Sequence, residues 1–128
     1  MKKLLFVISC LLVGIGAVLL FSEKTVAAVE EEIAADKIYV FVQRGCPHCI
    51  SAEKYLKEKH ADLENMELRD ISERKNYDLF MACGAKFKLN KYSMGTPLFC
   101  MGENYVLGWG EEGPGEFEEA LKKFLPKE

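Results

Sequence analysis

A pair of cysteines with the spacing C-x-x-C lies at the junction of a predicted strand and a predicted helix. Ile38–Val42 is a continuous apolar and β-branched run, which at this length predicts a strand buried on both faces. A helix is predicted to begin near Pro47, because apolar residues recur beyond it at helical spacing. Cys46 and Cys49 are therefore one helical turn apart, which is close enough for a small disulfide.

The two cysteines differ in the chemistry that their positions favour. A thiolate at a helix N-terminus faces free amide hydrogens and the positive end of the helix dipole, which lowers its pKa. We therefore expect Cys46 to be the nucleophile. Cys49 is expected to be the resolving thiol, which releases a bound substrate by attacking the mixed disulfide.

Three neighbouring residues are expected to tune the reactivity of Cys46. Pro47 suits the first helical turn, where its fixed backbone angle holds the two sulfurs near each other. A charged or hydrogen-bonding His48 would stabilise the Cys46 thiolate and make the disulfide a stronger oxidant. The positive charge of Arg44 would add to this stabilisation of the Cys46 thiolate. For Arg44 and His48 the alternative is plain exposure to solvent.

Metal binding is the main alternative for a C-x-x-C pair. A tetrahedral site needs a second pair at comparable spacing, and Cys83 and Cys100 stand far apart from each other along the chain. A purely structural disulfide between Cys46 and Cys49 would close too short a loop to constrain the unfolded chain much. We predict a redox-active dithiol without a metal. The competing hypothesis is a non-catalytic module that binds a metal ion or a partner protein through the same cysteines.

The rest of the chain alternates between strand and helix patterns. Residues 66–71 predict a half-buried strand, and residues 97–101 and 105–109 predict a hairpin. One helix is predicted before the hairpin and one after it, the last beginning at Gly113 and Pro114. The predicted order is β-α-β-α-β-β-α, which belongs to the α/β class with one small mixed sheet and helices on its faces.

Two further cysteines lie on predicted apolar surfaces. Cys83 is on the apolar face of the second helix, next to Gly84, which either breaks that helix or allows close packing. Cys100 lies in the strand predicted over residues 97–101. Free cysteine is among the most often buried residues, so we predict two buried thiols. The alternative is a second disulfide or a relay partner for the first pair.

The N-terminal segment has the order of a secretory signal peptide. Two lysines precede an uncharged apolar stretch over residues 4–21, and Val26 and Ala28 suit the small-residue positions of a cleavage site. We predict a signal peptide over residues 1–28, with an uncleaved anchor in the inner membrane through residues 4–21 as the alternative. Both alternatives export the remaining chain to the periplasm or another extracytoplasmic space, where disulfides form.

Composition and charge narrow the class of partner. Residues 29–36, which include a run of glutamates, predict an acidic leader, and residues 37–128 predict a single domain. The net charge is −3 and no block of Lys or Arg beyond pairs occurs, which argues against a nucleic-acid partner. We expect a monomer that touches a membrane only through its N-terminal segment, if that segment is retained.

These motifs together resemble the thioredoxin superfamily. C-P-H-C follows a buried strand and Gly95-Thr96-Pro97 opens a later one, and the compact order of elements is most similar to glutaredoxin. The resemblance implies a thioredoxin-like fold of the glutaredoxin type with a four-stranded mixed sheet. It also implies that Pro97 follows a cis bond beside the dithiol, and that the backbone of Thr96 binds the substrate chain.

The same resemblance implies an activity. C-P-H-C is the centre of DsbA-like exported oxidants, and Gly-Thr-Pro resembles the loop of exported disulfide isomerases. The implied protein is an exported thiol-disulfide oxidoreductase in cell redox homeostasis, exchanging disulfides with protein thiols and reset by a membrane or soluble redox partner. It needs no cofactor besides its own disulfide, with glutathione as a candidate reductant. In glutaredoxins, paired glycines and an acidic cap after the hairpin hold the glutathione carboxylate. Residues 108–111 of this chain stand at that place with a different sequence.

Overall fold

A computed structural model describes residues 32–127, which form a four-stranded mixed sheet and three helices. The α/β class and the predicted order of elements are confirmed. In chain order the elements are β1 (Ile38–Val42), α1 (Pro47–Lys59), β2 (Met66–Asp70), α2 (Arg74–Lys86), β3 (Leu98–Met101), β4 (Asn104–Leu107) and α3 (Gly113–Phe124).

The predicted signal peptide and residues 29–31 of the acidic leader lie outside the described residues. Across residues 32–127, the structure has no helix with the length and apolar character that a membrane crossing requires. The N-terminal predictions therefore stay predictions.

β1 is a central strand of the sheet, whose spatial order is β2-β1-β3-β4. It pairs in parallel with β2 and antiparallel with β3, so that Val40 lies between Leu68 and Phe99. β3 and β4 form the antiparallel hairpin. All five residues of β1 are buried, which explains why its sequence is continuously apolar rather than alternating.

Alternate residues of β1 serve two cores on opposite faces of the sheet. On one face, Val40 packs with residues of α1 and α3; we call this the first core. On the other face, Tyr39 and Phe41 pack with residues of α2; we call this the second core. The helices contribute Cys49, Ala52, Leu56, Phe117, Ala120 and Leu121 to the first core and Leu79, Phe80 and Cys83 to the second.

The fourth strand ends earlier than predicted, at Leu107 rather than at residue 109. Gly108 adopts a φ of +85°, in the left-handed region that glycine tolerates best, and its N–H donates to the Pro97 carbonyl over 2.8 Å. This turn sends Trp109 into the first core, where its ring centroid lies 5.5 Å from that of Phe99.

Cys83 and Cys100 form a disulfide across the second core, so the prediction of two free thiols is wrong. Their Cα atoms are 6.5 Å apart, within the range that a disulfide spans, and both residues are buried as predicted. The pairing follows from the way α2 lies on β3, which brings together positions that are distant along the chain. It joins α2 covalently to the sheet.

A polar cluster joins the end of α1 to α3. The Tyr55 hydroxyl donates to Glu118 Oε1 over 2.7 Å, and His60 Nε2 contacts the same oxygen. Burial acts to raise the pKa of Glu118, but the hydrogen bonds with Tyr55 and His60 outweigh it and hold that pKa below its ordinary value of 4.5. The hydrogen bond to Glu118, followed by burial, raises the pKa of Tyr55.

Replacing Glu118 with glutamine should lower the free energy of unfolding at neutral pH and have progressively less effect in acid. Because the folded-state pKa of Glu118 is depressed, its contribution is present above the unfolded value and is lost as the pH falls through the folded value. We expect a loss of about 1 kcal/mol near pH 7, since the side chain is partly exposed. Urea unfolding of variant and wild type at several pH values measures it.

A matched control is available one position further along α3. Glu119 is exposed and pairs with Lys123 over 3.1 Å, a surface pair that contributes little to stability. Glu119→Gln changes the charge as Glu118→Gln does, and should alter the free energy of unfolding little at any pH. A difference between Glu118→Gln and wild type that does not change with pH would contradict the prediction.

Candidate active site

The backbone between β1 and α1 presents the cysteine pair at a helix N-terminus. Gly45, with a φ of +74°, occupies the left-handed region where the chain turns out of the sheet. Cys46 follows in an extended conformation as the N-cap of α1, and Pro47 is the first helical residue, as predicted. The N–H of Cys46 donates to the Gln43 carbonyl over 3.3 Å, which closes the turn.

Cys46 and Cys49 form a disulfide in which the two sulfurs have different surroundings. Their Cα atoms are 5.2 Å apart. The N–H of Cys49 donates to the sulfur of Cys46 over 3.2 Å, so the sulfur caps the helix. Cys46 is half-buried, whereas Cys49 is only 2% exposed. Cys46 is the more exposed partner, and after reduction its thiolate would keep the amide donor, which stabilises a charged sulfur more than a neutral one.

The segment that opens β3 contacts Cys46 from the other side. The Thr96 hydroxyl donates to Cys46 Sγ over 3.5 Å, and the Thr96 carbonyl oxygen lies 3.6 Å from the same sulfur. The Thr96–Pro97 peptide bond is cis, and Pro97 is buried. The structure therefore brings Thr96 to Cys46 across fifty positions of sequence, and the substrate-binding roles of Thr96 and Pro97 stay predictions.

The two side chains expected to tune Cys46 through charge are both exposed. The Arg44 side chain is 92% exposed, and its Nε lies 3.6 Å from Asp70 Oδ2. Hydrogen bonds from Ser72 are the main cause of a lowered pKa at Asp70, and the charge of Arg44 adds to it. His48 is exposed on the first turn of α1. The tuning roles of Arg44 and His48 stay predictions, and solvent screens the charge of Arg44.

A groove of about 750 Å³ opens beside Cys49, between the start of α1 and the edge strand β2. Two apolar side chains in it are unusually accessible, Ile50 at 63% and Leu68 at 54% exposed. Sequence analysis missed this groove, because the pattern of residues 66–71 does not show that their strand lies at an edge of the sheet. The position of Ile50 directly after the dithiol was the available signal.

A charged network forms one wall of this groove. Glu67 accepts hydrogen bonds from Lys37 and from Arg69, each over 2.6 Å. These two bonds are the main reason that the pKa of Glu67 lies below its ordinary value, and the Glu67 carboxylate is also the main cause of the raised pKa of Lys37. Among residues 32–127, no three or more His, Cys, Asp or Glu side chains are grouped so that they could hold a metal ion.

Together these contacts are consistent with a redox-type dithiol. Cys46 is half-buried, and its sulfur is hydrogen-bonded at a helix N-terminus, whereas Cys49 is buried one turn further on. Such a pair can cycle between a disulfide and a dithiol.

Comparisons with known proteins do not place the chain in a family. No protein-family model matches the sequence. No curated protein matches it either. A function for this chain is therefore argued from the geometry around Cys46 and Cys49.

Proposed function

We propose that this chain is an exported thiol-disulfide oxidoreductase with a thioredoxin-like fold of the glutaredoxin type. The fold proposal is supported by the strand order β2-β1-β3-β4 and by the contacts that Thr96, at the opening of β3, makes with Cys46 at the start of α1. The observation that carries the activity is the Cys46 sulfur, which is half-buried and hydrogen-bonded by the Cys49 N–H and the Thr96 hydroxyl. Export is proposed from the signal-peptide pattern of residues 1–28.

In the oxidising direction, a substrate thiolate attacks Cys46 Sγ and breaks the Cys46–Cys49 bond. Cys49 leaves as a thiolate that takes up a proton, and the substrate is held to Cys46 as a mixed disulfide. A second substrate thiolate then attacks the substrate sulfur of that bond, which releases the oxidised substrate and the Cys46 thiolate. Two electrons pass from the substrate thiols to the protein, and the reverse sequence reduces a substrate disulfide.

Substrate recognition is proposed to use the backbone at Thr96. Its carbonyl oxygen lies at the accessible sulfur, where an extended substrate chain joined to Cys46 would pass. The proposed substrates are thiols or disulfides of exported proteins, and a membrane or soluble redox partner resets the dithiol. In the reducing direction, glutathione is a candidate small-molecule reductant of the Cys46–Cys49 disulfide.

The reduction potential of the Cys46–Cys49 pair tests the proposal directly. The protein is equilibrated with glutathione buffers, its free thiols are alkylated, and mass spectrometry assigns the alkylated cysteines. We expect one reversible two-electron transition at Cys46 and Cys49, between about −270 mV and about −120 mV. A value near the upper end would identify a disulfide donor, and one near the lower end a reductase. The absence of any reversible transition at this pair would contradict the proposal.

A further inference from the structure

The connection between α2 and β3, residues 87–97, determines where Thr96 lies. This connection contains no helix or strand, yet it ends at the two contacts that Thr96 makes with Cys46 Sγ, over 3.5 and 3.6 Å. A hydrogen bond to sulfur at this length is weakened by any further separation. The chemistry at Cys46 therefore depends on whatever holds the connection in place.

Met94, two positions before Thr96, is seated directly on α2 at Gly84. A Cβ atom placed on Gly84 would lie 2.4 Å from Met94 Sδ and 2.6 Å from Met94 Cε, which is closer than real atoms approach. Gly84 is buried, and α2 continues through it to Lys86. The role of the glycine is therefore close packing rather than a break in the helix, and any larger residue there would displace the Met94 side chain.

The part of α2 that Met94 contacts is fixed relative to β3. Cys83, the neighbour of Gly84, is joined by its disulfide to Cys100 of β3. The connection is also attached at its first half, where the Leu89 N–H donates to the Gly84 carbonyl over 2.8 Å. Met94 packs against the second core. The path from the disulfide to Thr96 is thus a continuous series of covalent, hydrogen-bonded and packed contacts.

We propose that Gly84 and Met94 are positioning residues that set the redox equilibrium of the Cys46–Cys49 pair by holding Thr96 against Cys46. This inference rests on the proposed function. In the equilibrium with glutathione, two glutathione thiols reduce the Cys46–Cys49 disulfide and become one glutathione disulfide. The Thr96 hydroxyl stabilises the Cys46 thiolate and so favours the dithiol. Moving Thr96 away shifts the equilibrium toward the protein disulfide.

The test measures this equilibrium constant in the full chain carrying Gly84→Ala, Met94→Ala or both. We expect each single variant to shift the constant toward the disulfide, Met94→Ala by about threefold, as for the weakening of one hydrogen bond, and Gly84→Ala by less, because the added methyl group meets only the flexible end of Met94. The double variant should shift it by less than the product of the two single shifts, because shortening Met94 relieves the clash with the methyl group added at position 84. Urea unfolding confirms that each variant is folded, and Met94→Ala carries the test if Gly84→Ala is not.

Two further variants calibrate the result. Gly115→Ala is the matched control, since a Cβ there meets no atom within 4 Å, and it should leave the constant unchanged. Thr96→Val removes the hydroxyl and should give a shift in the same direction that Gly84→Ala does not exceed. Folded Gly84→Ala and Met94→Ala proteins that titrate like wild type, or fold-changes that simply multiply, would overturn the inference alone. Failure of the wild-type pair to titrate would instead overturn the proposed function.

Discussion

Replacing Cys46 with serine should abolish disulfide exchange, whereas replacing Cys49 with serine should convert the protein into a trap for its substrates. Cys46 is the more exposed of the two cysteines, and its sulfur accepts the hydrogen bond from the Cys49 N–H, so its loss removes the atom that bonds to substrate. We expect the exchange rate to fall by on the order of a thousandfold or more, as for other lost nucleophiles. Oxidation of a dithiol peptide, followed by mass spectrometry, measures this rate.

The Cys49→Ser variant lacks the thiol that resolves a mixed disulfide. Cys49 is buried one turn behind Cys46, a position that suits attack on a bond to Cys46 rather than on free substrate. Incubation with a peptide disulfide should therefore give a stable adduct at Cys46 on a non-reducing gel. The double variant Cys46→Ser/Cys49→Ser is the matched control and should give none. Adduct formation by Cys46→Ser instead would reverse the two roles.

Removing the disulfide of the second core should cost stability without removing the dithiol. Cys83 and Cys100 are 17 positions apart, and in the chain-entropy model a loop of about this length stabilises the folded state by about 3 kcal/mol. We expect Cys83→Ala/Cys100→Ala to lose about 2 to 4 kcal/mol in the free energy of unfolding, measured with urea. The Cys46–Cys49 pair should still titrate with glutathione.

The other disulfide supplies a matched control for this effect. Cys46 and Cys49 close a loop of three positions, for which the same model gives about half the stabilisation. Cys46→Ala/Cys49→Ala should therefore destabilise the protein less than Cys83→Ala/Cys100→Ala does. If the two double variants lose the same free energy of unfolding, or if Cys83→Ala/Cys100→Ala loses none, then Cys83–Cys100 is not a structural disulfide.

The elements that sequence analysis located well are those specified by local signals. The buried run Ile38–Val42 and the proline at the start of α1 each encode their structure within a few residues, and both were placed correctly. Gly113 and Pro114 marked the start of α3 for the same reason. Local patterning therefore predicts the order of elements, and with it the position of the dithiol at a helix N-terminus.

The features that sequence analysis missed depend on contacts between distant segments. The Cys83–Cys100 bond requires α2 to lie on β3, and the groove at Leu68 requires β2 to be an edge strand. Neither follows from spacing or periodicity. The contact between Met94 and Gly84 also depends on distant segments. From the sequence, Gly84 allowed either a break in the helix or close packing. For the site, the motif predicted the two cysteines, but not how Thr96 is held beside them.

The aromatic packing on one face of the sheet has a spectroscopic consequence. Trp109 is the only tryptophan of the chain, and it lies in the first core, with its ring centroid 5.4 Å from that of Tyr55 on α1. Its fluorescence is therefore a single-site signal from the side that carries the dithiol helix. The second core contributes no indole to that emission, so unfolding around the Cys83–Cys100 bond must be followed by another probe. Backbone circular dichroism, in contrast, averages over all the helices and strands of both cores.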